Sequence, residues 1–509
     1  MKKRQEVNQP TKEEMQKAAK DLYFTMQEDE LQMYSEFMGG LLRDVNFVNN
    51  FKQPLNNRKY PRGKVTRPTQ KDNPYNAWYQ KCIIKGASEG KLKGKTIVIK
   101  DNISVADVPM MNGSDVYEGF VPDEDATIVT RILDEGGEIL GKAVCENFCF
   151  SGGSHTSATG PVRNPHNEKY MTGGSSSGCA ALIVGGHSDM GVGSDQGGSV
   201  RMPASFSGCY GIKPTYGLVP YTGAGGIEES VDHLGPMAAS TEDCALLLEV
   251  IAGYDDGRDP RQKIRRESQS FTKNLDLGIE GLKIGIVEEG FGTPSSESDV
   301  DDEVKRSAQE LRQLGAQVED ISIPMHLQGG AIMMTSILDG TLSTFSDNGP
   351  FGPAGRGYKS PNAIEFYQNA RKERADKMPV TVKTVLLFGQ IMRARYGNYY
   401  SAKAQNLVRL LTEAYDEVFK QHDLIIMPTT PMKAHLIPPV NATPATILGN
   451  ALDMLANTCP FNSTGHPSMS IPVGTSGGLP IGMMITGRMG EDDMVLRAAQ
   501  AFEKLKGET

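Results

Sequence analysis

Between Thr172 and Arg201 the chain reads TGGSSSGCAALIVGGHSDMGVGSDQGGSVR, two glycine-framed serine clusters separated by an apolar run. A serine set among glycines suits nucleophilic attack, because the missing Cβ atoms let a carbonyl group approach the main chain. Such a serine needs a base, and no histidine stands beside either cluster. The run Cys179–Val184 is core-grade and argues against a flexible Gly/Ser linker. A backbone nest for an anion is an alternative, although the Lys-Ser/Thr ending of a phosphate loop is missing. Residues Gly174–Gly178 formally satisfy the G-x-S-x-G elbow of α/β-hydrolases, which would nominate Ser176. That elbow needs a buried strand before it, and here the polar stretch NPHNEKYMT precedes it. His233, His326, His422, His435 and His466 are available as triad partners, with no pattern that selects one.

The elements that must carry these clusters can be read from periodicity. KTIVIK (95–100) is a short continuous apolar run, the pattern of a strand buried on both faces. Ile128, Val129, Ile132 and Leu133 recur at helical spacing, stop at Gly136-Gly137 and lead into EILGK. Val300, Val304, Leu311 and Leu314 mark a helix ending at Gly315, followed by QVEDISIP. LKIGIV, DLIIMP, SMSIPV and GMMITG read as further buried strands. Strands alternating with helices predict an α/β fold with a mixed central sheet flanked by helices.

Two regions stand apart from this alternation. Residues 1–65 are expected to form an N-terminal helical segment, with Thr11 and Glu14 as a capping box and Leu22, Met26 and Leu31 at roughly helical spacing. A polar linker, PRGKVTRPTQKDNP, closes it. Residues 325–420 are turn-rich and then helical, with Leu407, Leu411, Ala414, Tyr415 and Val418 in register, and read as a small inserted domain. The large core is therefore expected in residues 66–324 and 421–509.

Composition excludes several function classes. The chain has 509 residues and a formal net charge of -9, which argues against a broad phosphate-binding surface and hence against a nucleic-acid partner. No apolar stretch follows the basic start MKKRQ, so no secretory signal is expected, and no run of about 18 apolar residues predicts a membrane span. The seven cysteines are scattered. Cys145 and Cys149 lack a second pair at metal-ligand spacing, so reduced thiols in a cytoplasmic protein without a metal site are expected.

The two clusters together resemble the amidase signature family. Its pattern of a Gly-Gly-Ser-Ser stretch, an Asp-x-Gly-Gly-Ser stretch with Arg-x-Pro-Ala, and Gly-x-Lys-Pro-Thr-x-Gly appears here as GGSSSG, DQGGSVRMPAS and GIKPTYG, in that order. VIKDNISV looks like the family's catalytic-lysine strand, and GPVRNP and DHLGPMA also fit. The resemblance is strongest from about 90 to 245. One departure is visible: the first cluster ends Ser177-Gly178-Cys179 in place of the more usual Gly-Gly-Ser.

The resemblance implies roles. Ser199 would be the nucleophile, Ser175 a bridging serine following a cis peptide, and Lys100 the ultimate base. An ordinary lysine titrates near about 10.4, so holding it neutral at pH 7 costs roughly 4–5 kcal/mol, within the reach of full burial. Backbone N–H groups of Gln196, Gly197, Gly198 and Ser199 would receive the oxyanion. No cofactor is implied. Phe148 and Phe150 precede the first cluster closely enough to line an acyl pocket, with plain core packing as the alternative. Asp195 and Arg201 read as a structural ion pair or as loop hydrogen-bonding groups, with contact to substrate as the alternative. The N-terminal helical segment makes the chain similar to Rhodococcus-type aliphatic and aromatic amide hydrolases and related urethanases. That likeness implies a homodimer hydrolysing small carboxamides to carboxylate and ammonia, with anilides or carbamates as further substrates. The alternatives are a glutaminase-type subunit of a tRNA-dependent amidotransferase and an α/β-hydrolase-like esterase using Ser176.

Overall fold

In the computed structural model, residues 6–51, 58–262, 270–352 and 357–507 are described. The chain divides into two compact units, residues 1–57 and 58–509.

The first unit is a helical hairpin. Its first helix, Lys12–Asp21, is capped as expected, with Glu14 N donating to Thr11 Oγ1 at 3.2 Å and Thr11 N to Glu14 Oε2 at 2.7 Å. The continuous helical pattern of the sequence is broken here, because the chain stops at Leu22 and restarts at Glu28–Asn50. Tyr23 in left-handed backbone turns the chain, and a second capping box at Gln27 and Glu30 starts the new helix. Leu22 and Met26 therefore lie in the connection, not on a helix face. Met15, Ala19 and Leu31 are buried, whereas Phe37, Leu41 and Phe47 are exposed.

The second unit is built on one mixed sheet. Its strands are β1 (Trp78–Lys85), β2 (Thr96–Lys100), β3 (Glu138–Ala143), β6 (Met190–Asp195), β7 (Tyr210–Lys213), β8 (His233–Ala238), β9 (Lys283–Val287), β10 (Gln317–Ile321), β11 (Leu424–Pro428), β12 (Ser468–Ser476) and β13 (Leu479–Gly487). Two short strands, β4 (Arg163–Asn164) and β5 (Asn167–Met171), form a separate ribbon. The large sheet runs β1-β3-β2-β6-β8-β7-β12-β13-β11-β9-β10. β3, β2 and β6 are parallel, as are β11, β9 and β10, and the strands between these two groups pair antiparallel.

The local sequence explains the centre of this sheet. β2 lies between β3 and β6, so Ile97, Val98 and Ile99 are buried on either face and the strand has no polar alternation. The helix Thr127–Asp134 buries its four apolar residues and returns the chain to β3. Helix Ser177–Val184 is buried from Ser177 to Ile183. The register pairs Ile99 with Val192, which sets Lys100 at the carboxyl end of β2 beside the carboxyl end of β6. Ligands of open α/β sheets bind outside such strand ends.

The helices between β10 and β11 belong to the second unit. They include Gly329–Ser336, Leu338–Ser343, Pro361–Arg374, Val380–Tyr396 and Tyr399–Phe419. The last buries Leu411, Tyr415 and Phe419 against Val287, Ile425 and Met427 of β9 and β11.

Candidate active site

Lys100 closes β2 and is fully buried. Its Nζ lies 2.7 Å from Ser175 Oγ, 2.9 Å from Ser194 Oγ and 3.1 Å from the Ser194 carbonyl oxygen. Lys91 and Lys93, by contrast, keep half or more of their side chains in solvent. Ser175 stands two residues before the helix Ser177–Val184, and its peptide bond with Gly174 is cis. Ser199 follows β6, in the loop that opens the helix Arg201–Ser207. The two serine clusters adjoin, because Ser176 N donates to the Ser199 carbonyl at 3.2 Å.

Ser199 faces a small cavity of about 40 Å³. Gln196 and Gly197 line it on the same side, and Ile227, Met333, Ile337 and Leu455 give it apolar walls. Met333 and Met334 come from the helix Gly329–Ser336, so the region between β10 and β11 helps shape the cavity. Among the described residues no charged side chain lines it.

One of the four N–H groups expected to receive an oxyanion is already engaged. The Gly198 N–H is committed to Asp195 Oδ1 at 2.7 Å, which removes it from the four expected donors. Among the described residues the N–H groups of Gly197 and Ser199 have no hydrogen-bond partner. Gly198 has φ +136°, a conformation that a side chain would strain.

Asp195 and Arg201 are fully buried and form the expected structural pair. Arg201 donates through Nε to Asp195 Oδ2 and through Nη2 to Oδ1, each at 3.0 Å. Burial alone would raise the Asp195 carboxyl. The Arg201 guanidinium and the Asn462 amide outweigh it and hold the group well below the usual carboxylate range.

Two further expectations are corrected. Phe150 lines the cavity, but Phe148 does not. Left-handed backbone at Phe148 and Cys149 accompanies a turn that packs the Phe148 ring against Phe345, with centroids 5.1 Å apart, and Tyr117, at 6.1 Å. Ser176 is fully buried and its hydroxyl donates to the Ser194 carbonyl at 3.2 Å, so it has neither an exposed position nor a histidine base.

Several residues around the site escaped the sequence reading. Ser194 contacts Lys100 through two atoms and is itself held by Asn102 Nδ2 at 3.0 Å. Gln196 Nε2 donates to the Tyr221 hydroxyl at 2.6 Å. Asp232, beneath this layer, is pushed up to about 7 by burial, with the Ile227 N–H and Arg261 partly opposing. Cys149 lines the cavity. Among the described residues no group of three or more His, Cys, Asp or Glu side chains is placed to hold a metal ion, and no helix is long and apolar enough to cross a membrane.

Comparison with known proteins places this geometry in a family. The family profile described as Amidase matches residues 76–496. An enantioselective amidase of Rhodococcus rhodochrous is 43% identical over 445 residues, covering 87% of this chain and 85% of that protein. A glutamyl-tRNA(Gln) amidotransferase subunit of Methanosarcina mazei is 37% identical, covering 83% of this chain and 87% of that protein. Among solved structures, the native peptide amidase from Stenotrophomonas maltophilia superposes with a TM-score of 0.67 at 28% identity, covering 82% of this chain and 83% of that one. With its mixed sheet, its serine clusters and this extent of similarity, the chain belongs to the amidase signature family and is an amide-hydrolysing enzyme.

Proposed function

We propose that the enzyme hydrolyses small, uncharged carboxamides through an acyl-enzyme on Ser199. The observation that carries this reading is the cavity: it presents the Ser199 hydroxyl to apolar walls with no charged side chain among the described residues. Lys100 accepts the Ser175 proton as Ser175 takes the proton of Ser199, and Ser199 Oγ attacks the carbonyl carbon. The 2.7 Å approach of Lys100 Nζ to Ser175 Oγ supports the first transfer. The N–H groups of Gly197 and Ser199, with Gln196 alongside, receive the oxyanion, where one donor is typically worth about 2.7–4 kcal/mol. The relay then returns a proton to the leaving nitrogen, and ammonia departs. Water attacks the acyl-enzyme by the same route and releases the carboxylate.

A second reading is favoured by the Methanosarcina relative, which is part of an amidotransferase. Glutamine carries an ammonium and a carboxylate, and binding them in a buried cavity requires opposite charges, because unpaired ions are costly to desolvate. The cavity offers none among the described residues. The test is turnover by the purified chain on aliphatic and aromatic carboxamides, anilides, carbamates and glutamine. Carboxamide hydrolysis abolished by Ser199→Ala is expected. Glutamine as the sole substrate, or full carboxamide turnover by Ser199→Ala, would overturn the reading.

A further inference from the structure

A peptide plane carries a C=O at one end and an N–H at the other, and holding both fixes the orientation of that plane. The Gly197–Gly198 plane is held in this way. Its N–H donates to Asp195 Oδ1 at 2.7 Å, and its C=O accepts from Thr458 Oγ1 at 2.7 Å. Glycine on each side leaves this plane without side-chain restraint of its own. If it turned over, the Gly197 carbonyl oxygen could swing toward the cavity and oppose the charge that the site must stabilise.

We propose that Thr458 is a positioning residue of the oxyanion hole: its hydroxyl holds the Gly197 carbonyl away from the acyl cavity, so that this oxygen does not oppose the charge received by the Gly197 and Ser199 N–H groups. This rests on Ser199 as nucleophile and extends that reading to a residue that touches no reacting atom.

Thr458 is fitted for this task. It is fully buried, and its N–H donates to the Leu455 carbonyl at 3.2 Å. Its own carbonyl accepts from Arg201 Nη1 at 2.9 Å. The same guanidinium holds Asp195 and donates to Asn462 Oδ1 at 2.7 Å, while Asn462 Nδ2 donates to the Asp195 carbonyl at 2.9 Å. One cation therefore joins the two groups that grip the glycine peptide. An alanine at Gly198 would drive its Cβ into the Thr458 side chain, which shows how closely the two segments meet.

The experiment compares Thr458→Val, Thr458→Ser and Thr458→Cys in the full chain. It reads kcat and KM on a carboxamide that the wild type turns over, and binding of phenylboronic acid and of benzoate. A boronic acid forms a tetrahedral adduct with the nucleophile, whereas benzoate reports the cavity alone. Thr458→Val is expected to lower kcat by about 5- to 150-fold, the range of a buried acceptor left without its donor, with KM changing less than about threefold. Boronate affinity falls with kcat and benzoate affinity holds. Thr458→Ser restores the rate, and Thr458→Cys, a weak donor of similar size, falls between. Should Thr458→Val fail to fold, the order Ser above Cys still decides the matter. An unchanged kcat in Thr458→Val, a rate for Thr458→Cys equal to that of Thr458→Ser, or equal losses for boronate and benzoate overturns the inference. A wild-type chain without carboxamide turnover would instead overturn the underlying reading.

Discussion

Replacing Arg201 with methionine removes a guanidinium while keeping most of the side-chain length. Five hydrogen bonds vanish: two to Asp195 at 3.0 Å, one to the Thr458 carbonyl at 2.9 Å, one to Asn462 Oδ1 at 2.7 Å and a weak one to Met484 Sδ at 3.5 Å. Asp195 then keeps the N–H groups of Gly198, at 2.7 Å, Val200, at 3.1 Å, and residue 201, at 3.4 Å, and the Asn462 amide, at 2.9 Å. These donors soften the loss but supply no charge. Breaking a buried ion pair from one side typically costs about 3–5 kcal/mol, and with both partners fully buried here we expect about 4 kcal/mol. Asp195→Asn should cost a similar amount by leaving the guanidinium alone. The double variant should cost at least about 2 kcal/mol less than the sum of the two, because neither charge is then stranded. Urea unfolding at pH 7, followed by circular dichroism, measures all three. The acid side gives a second readout. The Asp195 carboxyl is held below its ordinary value, so the pair's contribution is complete above about pH 4 and is lost as pH falls further. Arg201→Met should weaken that acid-side loss. Additive single and double variants, or a cost under about 1 kcal/mol for Arg201→Met, would refute the reasoning.

Two further outcomes are expected. Gly198→Ala places a Cβ against Thr458 at a backbone conformation of φ +136°, and kcat on a carboxamide should fall by about 100-fold or more, the scale of a lost oxyanion donor. His466 is buried, with Nδ1 2.9 Å from Thr464 Oγ1 and Nε2 3.1 Å from Asp416 Oδ1, and burial lowers it to about 4 despite Asp416. The unfolded chain, with histidine near about 6.5, therefore binds the proton first. Stability from this site is complete above about pH 6.5 and falls by about 3 kcal/mol as pH drops toward 4. His466→Gln should flatten that part of the stability profile, and an unchanged slope in urea midpoints between pH 7 and 4.5 would contradict this.

What could be read in advance was whatever the chain writes within one short segment. Lys100 ends a continuous apolar strand, and Ser175 and Ser199 sit in glycine-framed clusters 24 residues apart. Strands buried on both faces, such as β2, β9, β11 and β13, announced themselves as apolar runs. β6 did not, because Met190–Asp195 reads MGVGSD and its two glycines look like a loop, although every residue is buried. Gly193 explains the choice, since a Cβ there would press on Ser176. The break in the N-terminal hairpin was hidden because apolar spacing carries across a turn whose sign lies in the backbone of Tyr23. Phe148 and Phe150 looked equivalent two residues apart, and only the left-handed turn between them separates core from cavity.

The grip on the loop Gln196–Ser199 lay beyond any local pattern. Thr458 and Asn462 are more than 250 residues from the glycines and the aspartate they hold, and nothing in TCPFNSTG marks a threonine as a donor to a distant carbonyl. Asp195 also takes the N–H of Gly198, one of the four successive N–H groups in DQGGS expected as donors. The proposed nucleophile and base can be encoded in short motifs, because sheet register brings strand ends together wherever the strands form. The aim of the surrounding peptides depends on groups that converge only once β6 and the segment before β12 have packed. On the proposed mechanism, substitutions at Lys100 or Ser199 should therefore act on chemistry at little cost in stability, whereas those at Arg201, Asn462 or Thr458 should move rate and stability together. Measuring both on each variant separates the two kinds of residue, and a stable but inactive Arg201→Met would dissolve the distinction.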